Sequence, residues 1–274
     1  MGKSMYKLIA IDMDGTLLNT DHQITSHNKQ AITQAREMGV KVVLASGRPL
    51  AGMLSALDQL DMNTDDDYVI SYNGSMVQTA ASKTAIRQEI LTGSDAKLIA
   101  DWAEKLSVNV HAFSLKDGLI TPKNNKYTTH ECTINNIPLT EMPFSELSDD
   151  EAILKVMMVE EEPLLTKAIG QLPAMLNEKY TIVRSSPFFL EFMHKTSDKG
   201  AGVECLAQHL GIKREEVITM GDAGNDHHML TYAGLGVAMG NATEETKAIA
   251  DYITDTNNNS GVAQVIEKFV LNIK

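Results

Sequence analysis

Short apolar runs recur at both ends of the chain, each followed by a glycine-bearing loop and then by a stretch of helical period. Leu8 to Ile11, Val40 to Ala45 and Tyr68 to Ser71 predict buried strands, with Gly15, Gly47 and Gly74 in the loops that follow. Between the first two, Ser26 to Met38 sets Ala31, Ile32 and Ala35 at helical spacing, and Gly39 suits the helix C-terminus. Strand, helix and strand with connections this short predict parallel βαβ units.

The pattern resumes after residue 190. Gly200 to Leu210, Asn225 to Tyr232, Thr243 to Ala250 and Gly261 to Val270 predict helices. Glu216 to Met220, Gly236 to Met239 and Tyr252-Ile253 predict strands between them. The middle differs: a helix over Ser94 to Lys105, strands at Val108 to Phe113, Gly118 to Thr121, Ile153 to Val159 and Thr181 to Arg184, and a helix over Glu162 to Leu176. Residues 1–87 and 191–274 therefore predict one α/β domain around a parallel sheet, and 88–190 an inserted α+β unit. No internal repeat or low-complexity segment interrupts this plan.

Composition narrows the partners. Hydrophobic residues are 43% of the 274, ordinary for a globular chain, and the net charge is -12. Such a field repels nucleic acid and anionic membrane surfaces, and equally a phosphorylated metabolite unless a metal, a lysine or backbone N–H groups reverse it locally. Cys132 and Cys205 form neither a disulfide framework nor a zinc spacing, and predict two reduced thiols. No apolar run approaches the ~18 residues of a membrane span. Met1 to Met5 lack a signal-peptide core, and Tyr6 breaks the myristoylation pattern. These features predict a cytoplasmic protein, a monomer or small homo-oligomer.

The chemistry gathers at strand ends. Asp12-Met13-Asp14-Gly15-Thr16 follows the first apolar run, placing two carboxylates at the C-terminal tip of a buried strand. Adjacent acids repel unless a cation intervenes, and Mg²⁺ takes oxygen ligands from such pairs together with water and phosphate. One Asp can then attack phosphorus while the other acts as acid and base. Ser46-Gly47 offers a hydroxyl and a backbone N–H to a phosphate oxygen. Lys199 opens a helix, where the dipole disfavours it; a charge reaching phosphate is one reason for that placement, and a solvated lysine is the other reading. Gly221-Asp222-Ala223-Gly224-Asn225-Asp226 adds a third metal carboxylate in Asp222. Asn225 could touch metal or phosphate, and Asp226 could hold Lys199 or a metal-bound water. His227 and His228 point apart on a helix and predict no shared ion. All these groups follow strands of one sheet and converge on one crevice, a set suited to phosphoryl transfer.

Taken together, Asp12-x-Asp14-Gly15-Thr16, Ser46, Lys199 and Gly221-Asp222-x-x-Asn225-Asp226 resemble the four motifs of the haloacid dehalogenase-like phosphatases. Ala45-Ser46-Gly47-Arg48-Pro49, Ser71-Tyr72-Asn73-Gly74 and Phe189-Leu190-Glu191-Phe192 resemble their Cof-type branch. The resemblance implies a Mg²⁺-dependent phosphatase with a Rossmann-like core and an α/β cap inserted after the third core strand. It implies Asp12 as nucleophile and Asp14 as general acid/base. It implies Ser46, Gly47 and Lys199 as phosphate anchors, with Met13 and Asn225 beside the phosphate. Asp12, the Asp14 backbone carbonyl and Asp222 would hold the metal. Asp198 departs from the branch, which often has Asn there, and an extra acid could pull on Lys199.

Substrate choice is expected from the cap, with Asn125, Lys126 and Tyr127 in the loop Lys123 to Tyr127, and His130 nearby, as candidates. A basic, amide-rich loop with an aromatic ring suits a sugar phosphate; flavin and pyridoxal phosphates are alternatives. A phosphomutase and a non-catalytic metabolite-binding module are the readings from other classes.

Overall fold

A computed structural model describes residues 5–272, so the reading of Met1 to Ser4 lies outside the described residues. The chain divides into two compact units. One comprises the segments ending at Gln88 and beginning at Asp198, and the other runs Glu89–Ser197. The return to the first unit falls at Asp198 and not at 191, because Phe189–His194 is a strand of the second unit's sheet.

The first segment forms β1 (Leu8–Ile11), α1 (Ser26–Glu37), β2 (Lys41–Ala45), α2 (Leu54–Gln59), β3 (Tyr68–Ser71), β4 (Met76–Thr79) and β5 (Ala85–Gln88). The second unit forms α3 (Gly93–Leu106), β6 (Asn109–Ser114), β7 (Gly118–Thr121), α4 (Lys126–Asn135), β8 (Leu139–Glu141), β9 (Ile153–Val159), α5 (Glu162–Ile169), α6 (Ala174–Lys179), β10 (Tyr180–Ser186) and β11 (Phe189–His194). The chain returns with α7 (Lys199–His209), β12 (Val217–Gly221), α8 (His227–Tyr232), β13 (Leu235–Ala238), α9 (Glu244–Ile249), β14 (Tyr252–Ile253) and α10 (Gly261–Ile266).

The sheet of the first unit has the order β14-β13-β12-β1-β2-β3-β4-β5. The six strands from β14 to β3 are parallel, as an α/β core requires. β4 and β5 add two antiparallel strands that the apolar pattern did not announce. Ile9 and Ile11 point to one face, into a cluster with Ile32 and Val262, while Leu8 and Ala10 pack with Val203 and Met229 on the other. Both faces are covered, which is why these strands are apolar without alternation. In the register, Ile11 lies opposite both Met220 and Leu44. The residues after β1, β2 and β12 therefore leave the sheet at one edge.

The second unit's sheet has the order β10-β11-β9-β6-β7-β8 and is antiparallel apart from β7–β8. Val110, Ala112, Val156, Met158, Leu190 and Phe192 bury one face in a core with residues of α3, α5 and α6. The alternate positions His111, Lys155 and Glu191 are buried too, with Lys155 Nζ 3.2 Å from Glu191 Oε1 and 4.9 Å above the Phe113 ring. The helix expected over Glu162 to Leu176 splits into α5 and α6, because Gly170 and Pro173 interrupt it. The candidate loop Lys123 to Tyr127 runs into a helix: Asn125 caps α4, accepting from the N–H groups of Tyr127 and Thr128 at 3.0 Å each.

Candidate active site

β1 delivers Asp12 to the sheet edge, where it is 5% exposed and its N–H donates to the Met220 carbonyl at 3.0 Å. The chain then turns sharply, with the Leu17 N–H returning to the Asp12 carbonyl at 3.1 Å. Gly15 makes the turn with φ +83°, pressed so close to Asp222 that a Cβ would stand 2.4 Å from its Oδ2. Only glycine fits both the backbone and the space. Thr16 Oγ1 donates to Asp222 Oδ1 at 3.1 Å, tying the loop after β1 to the one after β12.

Lys199 is the first residue of α7 and is fully buried. Its ammonium donates to Asp12 Oδ1 at 2.5 Å and to Asp226 Oδ1 at 2.7 Å. The other Asp226 oxygen accepts from the N–H groups of Asp222 and Ala223 at 3.0 and 3.1 Å. Asp226 thus holds Lys199 on one side and shapes the Asp222 loop on the other. Asp198 does not pull on Lys199: its carboxylate caps α7, accepting from the Ala201 N–H at 2.8 Å.

Carboxylate oxygens of Asp12, Asp222 and Asp226 lie within 4.8 Å of one another. Three acids face one ammonium, so the cluster carries unbalanced negative charge when all are ionised. Burial and the neighbouring Asp226 push Asp12 well above the usual carboxylate range, against the pull of Lys199. The same two causes raise Asp222 to about 6. For Lys199, burial alone would favour the neutral amine, but the Asp12 and Asp226 carboxylates outweigh it and keep the ammonium charged. Crowded all-oxygen donors, with Asp12 and Asp222 pushed toward protonation, fit a hard divalent cation, whose charge would relieve the repulsion.

The Asp14 carboxylate stands outside this acidic cluster, gripped by Arg48 through Nε at 2.8 Å and Nη2 at 2.6 Å. Met13 buries its side chain in the core, leaving its backbone as the part able to meet a phosphate. Ser46 is buried at the end of β2, its Oγ accepting from the Arg48 N–H at 3.1 Å. Gly47 lies against Asn73, and Asn225 Nδ2 donates to Asn73 Oδ1 at 3.1 Å. Sequence reasoning gave no role to Arg48, Asn73 or Thr16. Arg48 and Asn73 lie inside the motifs that carried the branch resemblance, but their partners are 34 and 152 residues away.

The remaining candidates belong to the second unit. Asn125 is occupied in capping and also donates to Thr128 Oγ1 at 2.9 Å. Lys126 pairs with Glu161 at 3.1 Å, and Tyr127 stacks on Phe188 with centroids 5.5 Å apart. His130 is exposed beside the Phe188 and Phe189 rings. The His227 ring hydrogen-bonds with Thr246 Oγ1 at 2.8 Å, and neither Cys132 nor Cys205 forms a disulfide among the described residues. No helix among the described residues is long and apolar enough to cross a membrane.

A parallel-rich α/β sheet with an acid–lysine cluster at its C-terminal edge defines a phosphoryl-handling hydrolase. Residues 9–266 match the model of the haloacid dehalogenase-like hydrolases, and the chain belongs to that family. A Streptococcus pyogenes protein bearing a provisional phosphatase name is 44% identical over 268 residues, 97% of this chain and 99% of that one. A 5-amino-6-(5-phospho-D-ribitylamino)uracil phosphatase of Bacillus subtilis is 32% identical, with 97% and 96% covered. Among solved structures, a haloacid dehalogenase-like hydrolase from Bacteroides thetaiotaomicron superposes with TM-score 0.85 at 33% identity, covering 96% and 99%. A subclass IIB sugar phosphatase superposes with TM-score 0.81 at 27% identity, covering 96% and 98%. The protein is a phosphoric monoester hydrolase acting on a small phosphorylated substrate.

Proposed function

We propose that this enzyme is a cytoplasmic, Mg²⁺-dependent phosphatase of small phosphorylated metabolites, sugar phosphates foremost, working through an aspartyl-phosphate on Asp12. One observation carries the reading: the buried Lys199 ammonium bridges Asp12 and Asp226 beside Asp222, at the edge where β1 and β12 end. Asp12, the Asp14 carbonyl and Asp222 would hold the cation, which when bound would neutralise charge on the phosphoryl oxygens. Asp12 attacks phosphorus in line, and its paired Lys199 turns to a phosphoryl oxygen as the charge moves there. Ser46, the Gly47 N–H, the Met13 backbone and Asn225 fix the remaining oxygens, while Asp226 keeps Lys199 in place. Asp14 gives a proton to the leaving alkoxide and then takes one from the water that cleaves the acyl-phosphate.

Residues 89–197 are proposed to act as the cap that selects the leaving group, through candidates including Lys126, Tyr127 and His130. The sugar reading draws on the likeness to the sugar phosphatase. A second reading, a heteroaromatic phosphate such as a flavin precursor, draws on the half-buried Tyr127–Phe188 stack with exposed His130 and on the ribitylaminouracil phosphatase relative. The net charge of -12 favours neither nucleic acid nor an anionic membrane as partner.

The test is phosphate release across sugar, nucleotide, flavin and pyridoxal phosphates, with Mg²⁺ or EDTA, for wild type and Asp12→Asn. Release is expected only with both metal and Asp12. Substantial release by Asp12→Asn overturns the assignment, and formation of an isomerised product without free phosphate identifies a mutase.

A further inference from the structure

The turn that closes β3 holds three successive residues with left-handed backbone, Tyr72 (φ 51°), Asn73 (φ 51°) and Gly74 (φ 89°), a run found nowhere else among the described residues. Glycine adopts this region freely and asparagine tolerates it, but for a tyrosine it is strained. Strain of this kind persists only where the surroundings over-determine it, and such positions gather at functional sites.

The surroundings here are the segments proposed to hold phosphate. The Tyr72 N–H donates to the Arg48 carbonyl at 3.1 Å and the Asn73 N–H to the Ser46 carbonyl at 2.9 Å. The Ser46 N–H in turn donates to the Ile70 carbonyl at 2.9 Å, so the turn is laced to the loop after β2. The Asn73 side chain is 2% exposed, and its Oδ1 accepts from Asn225 Nδ2 at 3.1 Å. Gly47 packs against the same amide, where a Cβ would lie 3.0 Å from Nδ2. Gly74 packs against the Asp198 carbonyl just before Lys199, where a Cβ would lie 2.0 Å from the oxygen. One strained turn therefore touches the segments bearing Ser46 and Gly47, Lys199, and Asn225.

We infer that Asn73 is a positioning residue for phosphoryl binding. Its amide fixes Asn225, and its backbone fixes Ser46 and Gly47, so the left-handed turn sets the spacing of the phosphate anchors. The inference rests on the proposal that these groups bind phosphate. A turn that serves the fold alone would change stability when altered, without a selective loss of anion affinity.

Asn73→Gly keeps the left-handed backbone and removes only the amide. Its inhibition constant for orthovanadate and its KM for a phosphorylated substrate are expected to rise roughly tenfold, the equivalent of one lost polar hydrogen bond. Its kcat is expected to fall by less, and its melting temperature by only a few degrees. Gly47→Ala pushes the same amide from the other side and is expected to weaken orthovanadate in the same direction. In an Asn225→Ala background, Asn73→Gly should add little further loss, because the two act through one contact. Wild-type orthovanadate affinity in Asn73→Gly, alongside a weakened Asn225→Ala enzyme, overturns the inference and leaves the phosphatase standing. Equal losses in the two backgrounds overturn it as well. An Asn225→Ala enzyme that binds orthovanadate normally removes the anchor itself, and the inference with it.

Discussion

Arg48 grips Asp14 with a forked pair of hydrogen bonds, one nitrogen to each carboxylate oxygen, and braces its remaining nitrogen on the Gly52 carbonyl at 3.2 Å. A bidentate guanidinium fixes the direction of a carboxylate as well as its charge. If Asp14 is the acid, Arg48 determines where that acid points.

The expected consequence depends on the leaving group. Arg48→Ala should lower kcat for an alkyl phosphate roughly 10²-fold, the scale of general acid catalysis, and for 4-nitrophenyl phosphate less than about tenfold, since nitrophenolate leaves without a proton. Arg48→Lys should resemble Arg48→Ala, because an ammonium cannot supply the fork. Steady-state kinetics on the two substrates decide this, and equal losses on both would mean that Arg48 serves the fold and not the acid.

Metal binding should depend on pH through Asp12 and Asp222. Asp222 is raised to about 6 by burial and by Asp226, and the same two causes raise Asp12 well above its usual range. Between the usual carboxylate range and pH 6 the folded Asp222 binds more protons than the unfolded one. The Asp222 contribution to the stability of the metal-free protein therefore falls as pH rises through that window. Those protons also compete with a cation. Saturating Mg²⁺ is expected to stabilise by about 2–4 kcal/mol at pH 8 and progressively less as pH falls through 6. Thermal melts with Mg²⁺ and with EDTA, from pH 5 to 8, read the difference directly. A gain from Mg²⁺ that does not change with pH would argue against a carboxylate site.

Gly15→Ala strikes two constraints at once. A side chain at φ +83° strains the backbone, and its Cβ would overlap the Asp222 carboxylate. The variant should lose about 1–3 kcal/mol of stability and should need more Mg²⁺ for half-maximal activity. Chemical denaturation and a Mg²⁺ titration of rate check both halves. A normal Mg²⁺ requirement in a folded variant would show that Asp222 can move without cost to the metal.

His111 gives the second unit an acid sensitivity of its own. Burial, with the Lys155 ammonium second, pushes its imidazole down to about 3, and its ring nitrogens meet Thr128 Oγ1 and Met157 Sδ. An unfolded histidine titrates near 6.5, so below that pH the unfolded chain gains a proton that the folded one refuses. The His111 contribution to stability is complete above about 6.5 and falls by about 1.4 kcal/mol per pH unit below it, down to about 3. His111→Gln should flatten the profile between pH 4 and 6.5 in denaturant titrations. An unchanged slope would place the acid sensitivity elsewhere.

The parallel strands of the first unit were legible because both sheet faces are buried, leaving β1, β2 and β12 as mostly apolar runs, with Thr219 the one polar residue inside β12, and polar residues just past their tips. Asp12, Ser46 and Asp222 could be placed at strand ends for that reason. β4 and β5 were not legible: Gln78 interrupts one and the other is half exposed, so neither reads as a buried strand. α4 escaped because the residues it buries are Thr128, Glu131 and Asn135, which make no apolar stripe. The pairing of Lys199 with Asp12 and Asp226, and not with the adjacent Asp198, is decided by tertiary approach across 187 and 27 residues. The Asp226 partner was open to sequence reading as one of two roles, but the bond to Asp12 joins a helix start to a strand end that no local pattern relates. Asn125 illustrates the converse, since an amide in a polar loop suggests a ligand, yet capping α4 already engages its oxygen.

The strand order has a consequence for synthesis. β1 is flanked by β2, made soon after it, and by β12, made only after the whole second unit. A nascent chain can therefore complete the sheet spanning β6 to β11 while one apolar edge of β1 still lacks its neighbour, a state open to mispairing. Asp12 is made 187 residues before Lys199 and cannot meet it until α7 arrives. Activity should thus be the last property the chain acquires, and truncation within α7 or β12 should release a folded middle flanked by an unfinished, aggregation-prone half.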